Sequence, residues 1–203
     1  MAYQPLSCGS SRRAFTLIEL LVVISIIAIL ASLSFPAVNG AIDAAKKVKA
    51  KNDVVQIVNA IKAYQTEYGK LPTTKVSADD SAEAADGWFQ SNNEEIMKVL
   101  TGNNTTLNPR KIVFLETRPA KGGTNAPKDG VTTDFKFYDP WGTQYAIKMD
   151  TSYNNEMEYY GTGSVNNLRT TAIAVSFGKN KTMQDPTKSS DAGLRVDDVV
   201  SFQ

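Results

Sequence analysis

Two hydrophobic patterns divide the chain. Over residues 15–35 the sequence FTLIELLVVISIIAILASLSF is apolar on every side, interrupted by Glu19 and by scattered small or hydroxylated residues. At about 1.5 Å rise per residue, a helix over this run is roughly 32 Å long, close to the ~30 Å hydrocarbon thickness of a bilayer, and it predicts one membrane span. Pro36 follows at once, where a kink or a locally melted turn is expected because proline removes a helix hydrogen bond. Beyond it Val38, Ile42, Ala45, Val48, Val55, Val58, Ile61, Tyr64 and Tyr68 recur mostly every three or four positions. That period predicts an amphipathic stalk helix over residues 36–69, stopped by Gly69. With a mild kink the two halves form a single stalk about 80 Å long, its second half packed on a sheet.

Residues 70–203 are punctuated differently and predict a globular head. KVSADDSAEAADGWFQ, from residue 75, reads as a polar surface loop pinned by Trp88 and Phe89. SNNEEIMKVLTG reads as a short helix with Asn92 or Asn93 as its cap and Gly102 as its stop. KIVFLE, DFKFYD, TQYAIKMD and TAIAVSF are short β-rich segments separated by Gly, Pro and Asn clusters, which predicts an antiparallel sheet. KGGTNAPKDG and GTGSVNN read as turns or loops. The fold class is α+β: a long N-terminal helix, half transmembrane and half amphipathic, packed on a small antiparallel sheet.

Charge orients this arrangement and narrows its chemistry. Arg12 and Arg13 precede the apolar run, and flanking basic residues stay in the cytoplasm, so the head lies across the membrane. A secretory signal peptide competes for the same segment, but its apolar core is usually shorter. Lys plus Arg total 22 against 21 for Asp plus Glu, which gives no bulk field toward nucleic acid. The only cysteine, Cys8, precedes the run, so the head forms no internal disulfide, and the absence of histidine removes the commonest general base and zinc ligand. Glu94 and Glu95 are adjacent on a predicted helix and point apart, which makes a poor acid–base pair. Glu19 is the residue that asks for an explanation, because an ionisable group in a span costs a few kcal/mol and by default marks a functional site with a partner. A shallow position reaching the headgroups is the other reading.

The segment RRAFTLIELLVVISIIAILA resembles the class III signal of type IV prepilins and type II secretion pseudopilins. The resemblance implies a leader of residues 1–14, cut by prepilin peptidase between Ala14 and Phe15, with Phe15 becoming a methylated N-terminus. The family usually has Gly where this chain has Ala14. It also gives Glu19 a role: in the filament the family's acid meets the N-terminal amine of an adjacent subunit, so two charges neutralise each other among packed apolar helices. Pro36 at this distance from the processed end is a further pilin feature.

Three stretches resemble the major pseudopilin of type II secretion in particular. They are YQTEYGKLPTT at residues 64–74, DPWGTQY at 139–145, and the tail AVSFGKNKTMQDPTKSSDAGLRVDDVVSFQ. Trp141 in the second reads as a core anchor. For the tail the resemblance implies calcium, held in a loop that includes Asp198, four residues before Phe202, with Asp197 as a second carboxylate. Here the chain departs from the family, because KNKT, with Lys179 and Lys181, replaces an expected Asp; Asp185 and Asp191 lie within the enlarged loop. The implied function is structural: a non-enzymatic subunit of a homo-oligomeric pseudopilus, anchored in the bacterial inner membrane with its head in the periplasm. The implied partners are minor pseudopilins, prepilin peptidase and the inner-membrane assembly platform. The alternatives are a type IV pilin of a surface fibre, or a tethered enzyme or binding module whose likeness ends at the anchor.

Overall fold

The computed structural model describes residues 15–74, 93–160, 165–182 and 198–201; at 33–37, 158–160 and 165–167 the backbone alone is described. Its first element, α1 (Leu17–Tyr68), is a 52-residue helix. The chain divides into two units after Asp43, and each is built differently.

In the first unit none of the described side chains of α1 belongs to a core cluster. Phe15, Leu17, Ile18, Leu20, Leu21, Val22, Val23, Ile24, Ile26, Ile27, Ile29 and Leu30 are all exposed. Two hydroxyls of this stretch are satisfied within the helix: Ser25 Oγ donates to Val22 O and Ser32 Oγ to Ile29 O, each at 2.8 Å. Such back-bonding lets a hydroxyl sit in apolar surroundings without an outside partner. Among the described residues no helix is long and apolar enough to cross a membrane; the expected span also takes in positions 33–35, where only the backbone is described. The melted turn expected at Pro36 is absent, since helix is continuous from residue 17 to residue 68. A proline removes one backbone donor, and the many bonds on either side hold the turn.

In the second unit the C-terminal half of α1 buries Ala50, Val54, Ile57, Val58, Ile61 and Tyr64 on one face. Burial of an isoleucine or leucine side chain stabilises by roughly 1.5–3 kcal/mol, so this stripe is the main anchor of the helix on the head. The expected stripe began earlier, but Val38, Ile42 and Val48 are exposed at 53, 48 and 71%. Gly69, at φ 67°, ends the helix with its N–H on Gln65 O. Helix α2 (Asn93–Leu100) follows and closes on a Schellman turn, Asn103 N donating to Lys98 O and Gly102 N to Val99 O.

The strands are short: β1 (Gly130–Val131), β2 (Phe137–Tyr138), β3 (Ala146–Met149), β4 (Met157–Tyr160), β5 (Val165–Leu168), β6 (Ala172–Ser176) and β7 (Val199–Val200). Among the described residues these strands pair antiparallel in three sheets, ordered β1-β2, β3-β6-β7 and β4-β5. The central sheet is buried on both faces. Ile147, Met149, Ala172, Ala174 and Val199 join the α1–α2 core, while Ala146, Ile173, Val175, Phe177 and Val200 form a second cluster with Met157 and Leu168. This accounts for near-continuous apolar runs where an antiparallel strand with one wet face would alternate.

Two expectations for the head change. KIVFLE is not a strand: Phe114 N and Leu115 N both donate to Leu100 O, and Ile112 N donates to the buried Asn108 side chain. Its backbone is satisfied by the end of α2, leaving no ladder to form. GTGSVNN is not all loop, because β5 begins at Val165, paired with Tyr160. The 75–90 loop, with Trp88 and Phe89, lies outside the described residues.

Candidate functional site

At the N-terminal end, Thr16 stands at the cap of α1 and Glu19 three residues on, the spacing of a capping box. The Glu19 carboxylate accepts the Thr16 N–H at 2.8 Å and the Thr16 hydroxyl at 2.7 Å, and Glu19 N donates back to Thr16 Oγ1 at 3.3 Å. Both bonds to the carboxylate fall on Oε2, which leaves acceptor capacity for a further donor. A negative group here also suits the positive end of the helix dipole. The acid therefore has local partners that the sequence reading did not assign, although Thr-x-x-Glu at the start of an apolar run is a readable signal. Phe15 is 77% exposed beside it, and Ala14 lies outside the described residues.

A second constellation ties α1 to the head. Asp53, 2% exposed, interrupts the buried apolar stripe of the helix. It accepts Arg118 Nη1 at 2.9 Å and Nη2 at 2.6 Å in the two-pronged geometry that suits guanidinium and carboxylate, and Tyr145 Oη donates to its Oδ2 at 2.7 Å. Arg118 turns its other donors to Asp129, with Nε at 3.1 Å and Nη2 at 2.9 Å from Oδ1. Lys49 of α1 reaches the same carboxylate at 2.6 Å and Lys121 at 3.0 Å. Burial alone would raise the Asp129 pKa, but the hydrogen bonds from Lys49, Lys121 and Arg118 outweigh it and lower it to about 2. The hydrogen bond to Asp53 is the largest cause that raises the Arg118 guanidinium, and burial followed by the charge of Asp53 raises Tyr145. Asp129 has φ 57°, and Gly130 follows because a Cβ there would lie 2.5 Å from Pro119 O.

DPWG forms the third feature. Asp139 is fully buried; its Oδ1 accepts Trp141 N and Thr143 N, each at 2.9 Å, and its Oδ2 accepts Ser176 Oγ at 2.6 Å. Desolvation raises this carboxyl, and those hydrogen bonds oppose the rise. Trp141 is half-buried against the main core, as expected of an anchor, while Asp139 holds the turn and ties it to β6. Asn93, expected as a possible helix cap, instead turns its amide to the sheet: Nδ2 donates to Phe137 O and Tyr145 O, and Oδ1 accepts Phe137 N.

Of the tail carboxylates, Asp198 precedes β7 and is half-buried, whereas Asp197, Asp185 and Asp191 lie outside the described residues. Among the described residues no three Asp, Glu, Cys or His side chains converge as a metal site built on such groups requires. Glu94 and Glu95 share a surface dent with Lys98, and Glu94 pairs with that lysine at 2.6 Å. The observed geometry is that of charges fixing one element to another.

Residues 9–35 match the prokaryotic N-terminal methylation motif. The chain is 30% identical over 131 residues to the type II secretion system core protein G of Pseudomonas aeruginosa, an alignment covering 64% of this chain and 69% of that protein. It is 28% identical over 155 residues to the protein of that name from Pectobacterium carotovorum subsp. carotovorum, covering 76 and 78%. With the one from Escherichia coli K12 it shares 41% over 73 residues, 36% of this chain and 50% of the relative, so here it spans about half the length of the protein it matches. No solved structure matches.

Proposed function

Because the chain belongs to the type II secretion system core protein G family, we propose that it is the structural subunit of a pseudopilus. It is made as a precursor, anchored in the bacterial inner membrane by residues 15–35 with the head in the periplasm, and assembled into a helical filament that pushes substrates outward. Prepilin peptidase removes residues 1–14 at Ala14, and the new N-terminus, Phe15, is methylated. Minor pseudopilins and an inner-membrane assembly platform are its partners, and no catalytic step belongs to this reading. Single-pass anchoring rests on the apolar sequence of 15–35 and on Arg12 and Arg13 before it.

The observation that carries the reading is the methylation motif at 9–35, coupled to a helix start whose acid sits in a capping box amid exposed apolar side chains. In a membrane the capping box gives Glu19 local donors, which lowers the penalty of an isolated carboxylate. In a filament, the amine of a neighbouring subunit supplies the remaining donor, and shape-matched apolar helices replace lipid contacts. Glu19→Ala should leave insertion and leader removal intact, with Phe15 found by N-terminal sequencing, and should abolish filaments sheared from cells. A normal filament yield from that variant would overturn the role of Glu19; an intact Met1, or an end beyond Phe15, would overturn the processing site.

A further inference from the structure

We infer that the loop over residues 150–156, between β3 and β4, is a binding site for a divalent cation of the calcium type, separate from the tail carboxylates Asp197 and Asp198. The sequence DTSYNNE places side-chain oxygens at Asp150, Ser152 and Asn154, which are loop positions one, three and five of the regular calcium pattern, with a backbone carbonyl available at position seven, Glu156. That pattern needs a sharp turn at position six, where glycine is usual; Asn155 occupies it here at φ 60°, with Tyr153 also left-handed at φ 57°. Asp150 is 3% exposed, and its Oδ2 accepts Asn155 N at 2.7 Å while Oδ1 accepts Asn154 N and Ser152 Oγ, each at 3.2 Å. The backbone thus curls around one buried carboxylate with Ser152 Oγ against it, while Asn154, exposed, accepts Glu156 N on its Oδ1 at 2.8 Å and keeps a second lone pair on that oxygen.

An observation outside the loop points to a ligand. Asp150 N donates to Thr171 O at 3.0 Å, continuing the Met149–Ala172 register, so the side chains of Asp150 and Thr171 lie on the same face of that pair. The Thr171 hydroxyl oxygen is buried and has no hydrogen-bond partner. A buried hydroxyl left without a partner costs roughly 1–3 kcal/mol. A cation or one of its waters at the mouth of the loop supplies what that oxygen lacks.

The donor set also sets the strength. One buried carboxylate among neutral oxygens is a low charge count; Gly161 stands in the sequence where a regular loop has its bidentate glutamate, and buried Lys148 lies two residues before Asp150. The affinity then falls in the range of extracellular modules, with Kd on the order of 10⁻⁴ to 10⁻³ M.

The test uses the full chain in detergent micelles, with terbium luminescence as the probe and calcium as competitor. Expected are terbium binding displaced by calcium, at least tenfold weaker binding in both Ser152→Ala and Asn154→Ala with unchanged circular dichroism, and unaltered binding in Asp198→Asn. These two variants leave the backbone bonds of Asp150 in place, so they report on the ion even if Asp150→Asn fails to fold. No calcium competition up to about 10 mM, well above that range, overturns the site, and so does binding that survives both loop variants but is lost in Asp198→Asn.

Discussion

Asp53 occupies a position where the spacing of Ala50, Ile57, Ile61 and Tyr64 calls for an apolar side chain, and it is kept there by Arg118 and Tyr145. Removing one member of a buried pair costs about 3–5 kcal/mol; Arg118 is 35% exposed, so water relieves part of that. Asp53→Ala should therefore destabilise the head by about 2–3 kcal/mol, read as a lower urea midpoint in the fluorescence of the detergent-solubilised chain. An Asp53→Ala, Arg118→Met double variant should recover part of the loss, and a midpoint unchanged in the single variant would remove the clamp from the account. Asp129 supplies a pH dependence. Its folded pKa, near 2, lies below the usual 3.8, so its contribution is fully present above about pH 4 and is lost as pH falls through 2. The difference corresponds to about 2 kcal/mol. Buried Asp139, shifted upward, acts in the opposite sense, favouring the fold as it becomes protonated. An acid titration of Asp129→Asn should be flatter than wild type between pH 4 and 2, with lower stability at pH 7.

Elements whose partners are close in sequence were the most legible. The amphipathic period beyond Pro36 predicts the second half of α1, and Gly69 and Gly102 mark the helix ends that the structure has. TQYAIKMD and TAIAVSF contain β3 and β6 because β-branched and aromatic residues suit a sheet covered on both faces. KIVFLE has the same composition, yet Asn108 and the carbonyl of Leu100 take its donors, and nothing in a local window announces a buried asparagine eight residues beyond α2. Sites built from distant segments were hidden for the same reason: Asp53 and Arg118 are 65 positions apart, and only the folded sheet brings Tyr145 to them. Glu19 could be singled out from hydropathy alone, whereas its bond to Thr16 required knowing where α1 begins. The exposed Val38, Ile42 and Val48 show the limit of periodicity, which identifies an apolar face without saying whether the same chain covers it.

At the scale of the whole molecule, the two units draw on different sources of stability. Among the described residues the main core lies at Ala50 or beyond, and so do the strands and the clamp partners Asp53, Arg118, Asp129 and Tyr145. Among the described side chains of residues 15–43 none belongs to either core cluster. Their helix, nearly all apolar as far as residue 35, gains its backbone bonds locally and leaves its large apolar side chains from Phe15 to Leu30 exposed. A fragment of residues 44–203 should consequently fold by itself in water, with one cooperative thermal transition within a few degrees of that of the head in the full chain. A fragment beginning at Val54 should fail, because it lacks Ala50, Lys49 and Asp53 and leaves Arg118 beside Tyr145 without their carboxylate. Circular dichroism melts of the two fragments separate the possibilities. If the 44–203 fragment showed no cooperative transition, the apolar helix would have to contribute to the stability of the head, and the division after Asp43 would not describe how the chain folds.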